Sequence, residues 1–98
     1  MTNPHSSSHT RLYATIEHLL EGNKGLLAAD ESTKSANKRL ESLGLDPTEL
    51  TRRDWRELLL TTPHLNDFVS GVILYDETIR QETSAGENFA KFLTGQGI

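Results

Sequence analysis

The apolar residues of this 98-residue chain alternate between two patterns, helical spacing and short continuous runs. From Thr10 to Glu21, the residues Leu12, Tyr13, Ile16, Leu19 and Leu20 recur one helical turn apart. This predicts an amphipathic helix capped by Thr10 and stopped by Gly22. Gly25 to Ala29 is a five-residue apolar run closed by Asp30-Glu31. Such a run fits a strand buried on both faces, as in a parallel sheet, and a buried helix is the alternative that pattern alone leaves open. Ser32-Thr33 then opens a helix expected to reach about Leu43, with Ala36, Leu40 and Leu43 on one face and Gly44 as its stop. Asp46-Pro47-Thr48-Glu49 reads as another helix start, with Asp46 as cap. That helix would turn Leu50, Trp55, Leu58 and Leu59 inward and end before Thr62-Pro63. After a polar turn at 64–67, Val69 to Tyr75 is a second β-rich run, again closed by acids, Asp76 and Glu77. A final amphipathic helix carries Phe89, Ala90, Phe92 and Leu93 to Gly95-Gln96-Gly97.

Strands alternating with helices predict an α/β fold with parallel pairing and right-handed crossovers. Two strands cannot close a barrel and would leave their edges unpaired, so the sequence reads as the opening of a larger α/β domain. The domain reading is a flexible tail over 1–9 and a barrel portion over 10–98, incomplete at its C-terminus.

Charge removes several function classes. A net charge of −4, with acids and bases interleaved, leaves no basic face for nucleic acid and no patch for an anionic membrane. The chain has no cysteine, which excludes disulfides, thiolate metal sites and a cysteine nucleophile. No apolar run is long enough to span a bilayer, and MTNPHSSSHT does not read as a secretory leader, so a cytoplasmic location is expected. His5 and His9 share an i, i+4 spacing, but a metal site is not expected in a tail.

Chemistry concentrates at the strand ends. In a parallel arrangement Asp30-Glu31 and Asp76-Glu77 fall on one face, where α/β active sites gather. Asp30 is the stronger of these, because it follows a fully apolar run; a carboxylate at a strand mouth is placed to handle protons. The plain alternative is that all four acids solubilise loops or favour the following helix N-termini. Ser32, Ser35, Lys38 and Arg39 form a second cluster, whose amides, hydroxyls and guanidinium suit a phosphate. Its plain alternative is a capped helix with a solvated basic face. Nucleotide-binding glycine loops, the nucleophile-elbow serine motif and the zinc-protease motif are all missing from the sequence.

The stretch KGLLAADESTKSANKRL, Lys24 to Leu40, resembles the first strand and following helix of class I fructose-bisphosphate aldolases. Their pattern there is roughly K-G-[IL]-L-A-A-D-E-S-x-G-S-x-x-K-R-[LF]. The resemblance continues through ESLGL (Glu41–Leu45), RRDWRELLLTTP (Arg52–Pro63) and SGVILYDETIRQ (Ser70–Gln81), and more weakly through GENFAKFLTGQGI. It implies the first two βα units of a TIM (β/α)8 barrel. It also implies reversible aldol cleavage of fructose 1,6-bisphosphate to dihydroxyacetone phosphate and glyceraldehyde 3-phosphate, in glycolysis and gluconeogenesis. The small-molecule partner would be a sugar phosphate. No metal or other cofactor is implied, because a lysine imine serves as electron sink. The full-length enzyme would be a homo-oligomer.

Carried over by position, Asp30 matches the catalytic aspartate that assists proton transfer, and Ser32, Ser35, Lys38 and Arg39 match positions around a substrate phosphate. Lys34 stands where the family has glycine, placing a long cation beside that phosphate. The imine lysine and its companion glutamates belong to later strands, and Lys24, Lys34, Lys38 and Lys91 do not match its context. The 98 residues alone are therefore expected to be inactive. The alternative reading is a truncated, non-catalytic protein that binds sugar phosphates or pairs with another aldolase chain.

Overall fold

The structure is a computed structural model describing residues 6–98. Its elements are α1 (Ser6–Leu19), β1 (Gly25–Ala29), α2 (Thr33–Ser42), α3 (Glu49–Leu60), α4 (Leu65–Phe68), β2 (Val69–Leu74), α5 (Asp76–Ile79) and α6 (Phe89–Gly95). A crossover through α2, α3 and the short α4 returns the chain so that β1 and β2 pair in parallel, giving an α/β fold. The register runs Gly25↔Val69, then Leu26↔Gly71 through Ala29↔Leu74. Ser70 is thus the extra residue of a bulge, and its hydroxyl donates to the Leu19 carbonyl (2.5 Å), tying the end of α1 to β2. Beside it, Gly71 has no room for a side chain: a Cβ there would overlap the Leu19 side chain and come within 3.0 Å of Leu26 Cδ2.

Helix ends follow local chemistry. Ser32 caps α2 by accepting from the Ser35 amide (3.3 Å). At the other end, Gly44 takes φ 76°, its amide donates to the Glu41 carbonyl (3.0 Å), and the Leu45 amide reaches the Leu40 carbonyl (3.0 Å). That is a Schellman stop, which needs the left-handed residue glycine supplies cheaply. Helix α3 is capped by Thr48, not by Asp46 as the sequence suggests. Thr48 Oγ1 accepts from the Thr51 amide (3.1 Å) while Thr51 Oγ1 accepts from the Thr48 amide (2.8 Å). The Asp46 carbonyl instead accepts from the Thr51 hydroxyl (2.7 Å). Thr48→Ala is expected to cost about 1 kcal/mol in urea unfolding, with Thr48→Ser close to wild type; an unchanged midpoint for the alanine variant would contradict this assignment of the cap.

Several expectations are corrected. Helix α1 already runs from Ser6, so Thr10 lies within it and Ser6–His9 are helical; residues 1–5, with His5, lie outside the described residues. The polar turn at 64–67 contains the short α4, and α5 follows directly on β2. In α1, Leu12, Tyr13 and Ile16 are exposed, as is Leu20 just beyond it, and of the expected stripe only Leu19 is half-buried. The strands are not buried on both faces either: Leu26 and Ile73 are exposed, because two strands leave both sheet edges and much of each face uncovered.

Helix α3 departs furthest. Its expected inner residues Leu50 and Leu58 are exposed at 61% and 74%, while Trp55 and Leu59 are half-buried. The face it buries is Arg52, Arg56 and Leu60, one turn apart. The apolar core proper is Leu60, Phe89 and Leu93, flanked by Ala29, Val72, Leu74, Phe92 and Ile98. This cluster seats α3 and α6 against β2.

Candidate active site

Because the strands are parallel, Asp30 and Tyr75, each directly following its strand, emerge at the same end of the sheet. Asp30 is exposed there. One residue on, the Glu31 carboxylate accepts from Arg39 Nε at 2.8 Å, bridging the strand mouth to the last turn of α2. Ser32 Oγ, the cap of α2, also donates to Ser35 Oγ (3.3 Å). The structure therefore brings Ser32 and Ser35 into contact and places Arg39 beside the Asp30-Glu31 corner. Lys34, Ser35 and Lys38 are exposed, and neither lysine forms an ion pair among the described residues. An open groove of about 370 Å³ at this end is lined by Thr33, Glu49, Tyr75, Asp76, Glu77 and Arg80. A cavity of about 770 Å³ lies between the start of α3 and residues 80–84 and holds none of the five sequence-predicted site residues.

Behind this surface lies a buried polar cluster that the sequence reading did not anticipate. Glu77, at the mouth of β2, accepts from Arg52 through both carboxylate oxygens (Nε–Oε1 2.8 Å, Nη2–Oε2 2.9 Å) and from Arg56 Nη1 (2.5 Å). Arg52 Nη1 continues to Asn37 Oδ1 of α2 (3.0 Å). Arg56 Nη1 also reaches Gln81 Oε1 (3.0 Å), and its Nη2 lies 3.5 Å from the Glu31 carbonyl. The Arg56 guanidinium stands 5.9 Å above the centre of the Tyr75 ring. One carboxylate thus ties α3 to α2 and to both strand mouths. The only advance signal was two arginines at i, i+4 and an acid directly after an apolar run. Of the two acids there, Glu77 is drawn into the cluster, whereas Asp76 pairs with exposed Arg80 (2.8 Å).

The charges explain why Glu77 tolerates this burial. Hydrogen bonds from Arg52 above all, then from Arg56, outweigh desolvation and pull its carboxyl down to about 2 from an ordinary 4.5; Arg52 is raised in turn. Hydrogen bonds from the Ser84 amide and hydroxyl (both 2.8 Å), then the nearby Arg53, likewise lower Glu57. A depressed carboxyl binds its proton less readily folded than unfolded. Its stabilisation is therefore full above the unfolded value and fades as pH falls. For Glu77 the whole effect is about 3 kcal/mol, lost between roughly pH 5 and pH 2. We expect the urea midpoint to hold from pH 7 to 5 and to drop steeply towards pH 3 in wild type, but much less in Glu77→Gln. Parallel curves for the two proteins would contradict the assignment.

A family model described as fructose-bisphosphate aldolase class-I matches residues 11–98. Fructose-bisphosphate aldolase 2 of Caenorhabditis elegans is 50% identical over 80 residues, which are 82% of this chain and 22% of that protein. The cytoplasmic isozyme of fructose-bisphosphate aldolase from Cicer arietinum is 43% identical over 98 residues, all of this chain and 27% of that protein. Among solved structures, a co-crystal of fructose-bisphosphate aldolase from Plasmodium falciparum with TRAP and a small-molecule inhibitor superposes with a TM-score of 0.88 at 36% identity. That superposition covers 95% of this chain and 27% of that one. The chain thus spans about a quarter of the length of the curated relatives it matches.

Proposed function

Since the chain belongs to the class-I fructose-bisphosphate aldolase family, we propose that it forms the first two βα units of a TIM (β/α)8 barrel and supplies one part of the aldolase site. The observation that carries this reading is the clustering of Asp30, Ser32, Ser35 and Arg39 at the C-terminal end of β1. That end is where barrel enzymes keep their chemistry. The uncovered apolar residues support it as well: Leu12 and Ile16 on α1, and Leu26 and Ile73 on the sheet, suit the face that later strands and helices would cover.

In this reading the reaction is reversible cleavage of fructose 1,6-bisphosphate to dihydroxyacetone phosphate and glyceraldehyde 3-phosphate. The carbon–carbon bond between the two halves breaks, its electron pair flows into a protonated lysine imine, and the hydroxyl proton of the aldehyde half passes to a base. Asp30 assists proton transfer at the sugar hydroxyl and carbinolamine steps. Ser32, Ser35, Lys38 and Arg39 hold a phosphate through hydroxyls, amides and charge. Lys34, where relatives resembling this motif have glycine, adds a further cation beside it. The imine lysine is contributed by the remainder of the barrel, so these 98 residues alone turn nothing over. The complete enzyme acts in the cytoplasm as a homo-oligomer. Among the described residues, no helix is long and apolar enough to cross a membrane.

The test is a chimera in which this chain replaces the matching segment of the Cicer arietinum aldolase. Cleavage of fructose 1,6-bisphosphate by the chimera, and none by the chain alone, is expected. A folded chimera without activity would favour a non-catalytic role for the segment.

A further inference from the structure

Arg52 and Arg39, both bonded to carboxylates at the strand mouths, are held in opposite ways. Arg52 is held at three points: its Nε and Nη2 grip both oxygens of Glu77, and its Nη1 donates to Asn37. It is also only 9% exposed, with both terminal nitrogens already engaged by protein acceptors. Arg39 is held at one point. Its Nε donates to Glu31 Oε2, and no carboxylate takes its terminal nitrogens among the described residues. A guanidinium carries five N–H donors, and the four on Nη1 and Nη2 form the fork that matches two phosphate oxygens. Anchoring through Nε fixes the plane of that fork while leaving it open.

We propose that Glu31 is a positioning residue, whose carboxylate holds Arg39 by Nε so that the free guanidinium fork is presented to a phosphate. This rests on the phosphate-binding role proposed above for Arg39, and adds to it how that arginine is aimed. Glu31 is suited to the task by its own placement. It lies between Asp30 and the Ser32 cap of α2, its side chain is half as exposed as that of Arg39 (33% against 64%), and its carbonyl lies over the buried Arg56 guanidinium. A long, exposed arginine loses much rotamer freedom on binding a ligand, and fixing it beforehand removes part of that cost. The negative charge Glu31 brings is matched by Arg39, while Lys34 and Lys38 nearby have no ion-pair partner among the described residues and keep the surface attractive to an anion.

The experiment is a titration of the full 98-residue chain with inorganic phosphate at constant ionic strength, read from the Ser35 and Arg39 amide resonances, with melting curves of every variant. Glu31→Ala is expected to weaken phosphate binding by roughly 3–10-fold, the scale set by ordering one flexible side chain. Glu31→Gln, whose amide oxygen still accepts from Nε, should remain within about twofold of wild type, and both variants should melt with wild type because the pair is exposed. Arg39→Ala should abolish the response. Equal or tighter binding by Glu31→Ala would overturn the inference while leaving the phosphate site intact, as would a glutamine variant as weak as the alanine one. If wild type does not respond, or Arg39→Ala responds as wild type does, the phosphate site itself falls and the positioning role with it.

Discussion

Replacing Glu77 with alanine is expected to destabilise the chain by roughly 3–5 kcal/mol, the range for breaking a buried pair from one side. The magnitude follows from what is left behind. Arg52 and Arg56 are 9% and 3% exposed, and Glu77 is the carboxylate that neutralises them. Without it, two guanidinium groups would stand in a low-dielectric setting with only the amide oxygens of Asn37 and Gln81 and the Glu31 carbonyl to bond. Glu77→Gln keeps acceptor capacity and should lose less. Removing all three charges together, as Arg52→Met, Arg56→Leu and Glu77→Leu, should cost less than Glu77→Ala alone, because no charge is then stranded. Urea unfolding at pH 7 gives the comparison. A loss below about 1 kcal/mol for Glu77→Ala would mean that water reaches the arginines and that the cluster is not a closed unit.

The second large effect concerns chemistry rather than stability. In the chimeric aldolase, Asp30→Asn is expected to lower kcat for fructose 1,6-bisphosphate cleavage by at least about 10²-fold, the lower end of what a positioned acid or base contributes. The side chain is exposed after Ala29 and lies outside the apolar core, so the melting temperature should not move. That separation matters: a fall in both would point to misfolding. Turnover near wild type would remove Asp30 from the reaction and leave the plain reading, a solvated acid at a loop.

The fold was largely legible where local signals suffice. The apolar runs locate both strands to within a residue, and Ser32 and Gly44 mark the two ends of α2 as the residue types suggest. What misled was the face of α3. Periodicity assigns Leu50 and Leu58 inward, because a helix normally buries its leucines; here the inward positions belong to Arg52 and Arg56. Their partner Glu77 lies 25 and 21 residues further along the chain, and no local pattern connects them. The apolar stripe from Leu12 to Leu19 does fall on a helix, yet most of it is exposed, since two strands provide too little surface to cover it. At the candidate site, spacing alone left Asp30 and the Ser32–Arg39 cluster balanced against plain alternatives, and only the LAADEST resemblance favoured chemistry. Spacing placed Glu31 among the strand-end acids, but nothing in it pointed to the contact with Arg39, which depends on how the chain turns between β1 and α2.

The proposed chemistry is divided along the chain, with proton transfer and phosphate binding in this segment and the imine-forming lysine elsewhere in the barrel. Trapping with sodium borohydride in the presence of dihydroxyacetone phosphate, followed by intact-mass and peptide mapping, tests that division most directly. The predicted result is no covalent adduct on the 98-residue chain, and a single adduct in the chimera on a lysine outside this segment. An adduct on Lys24, Lys34, Lys38 or Lys91 would contradict it and move the nucleophile into these residues.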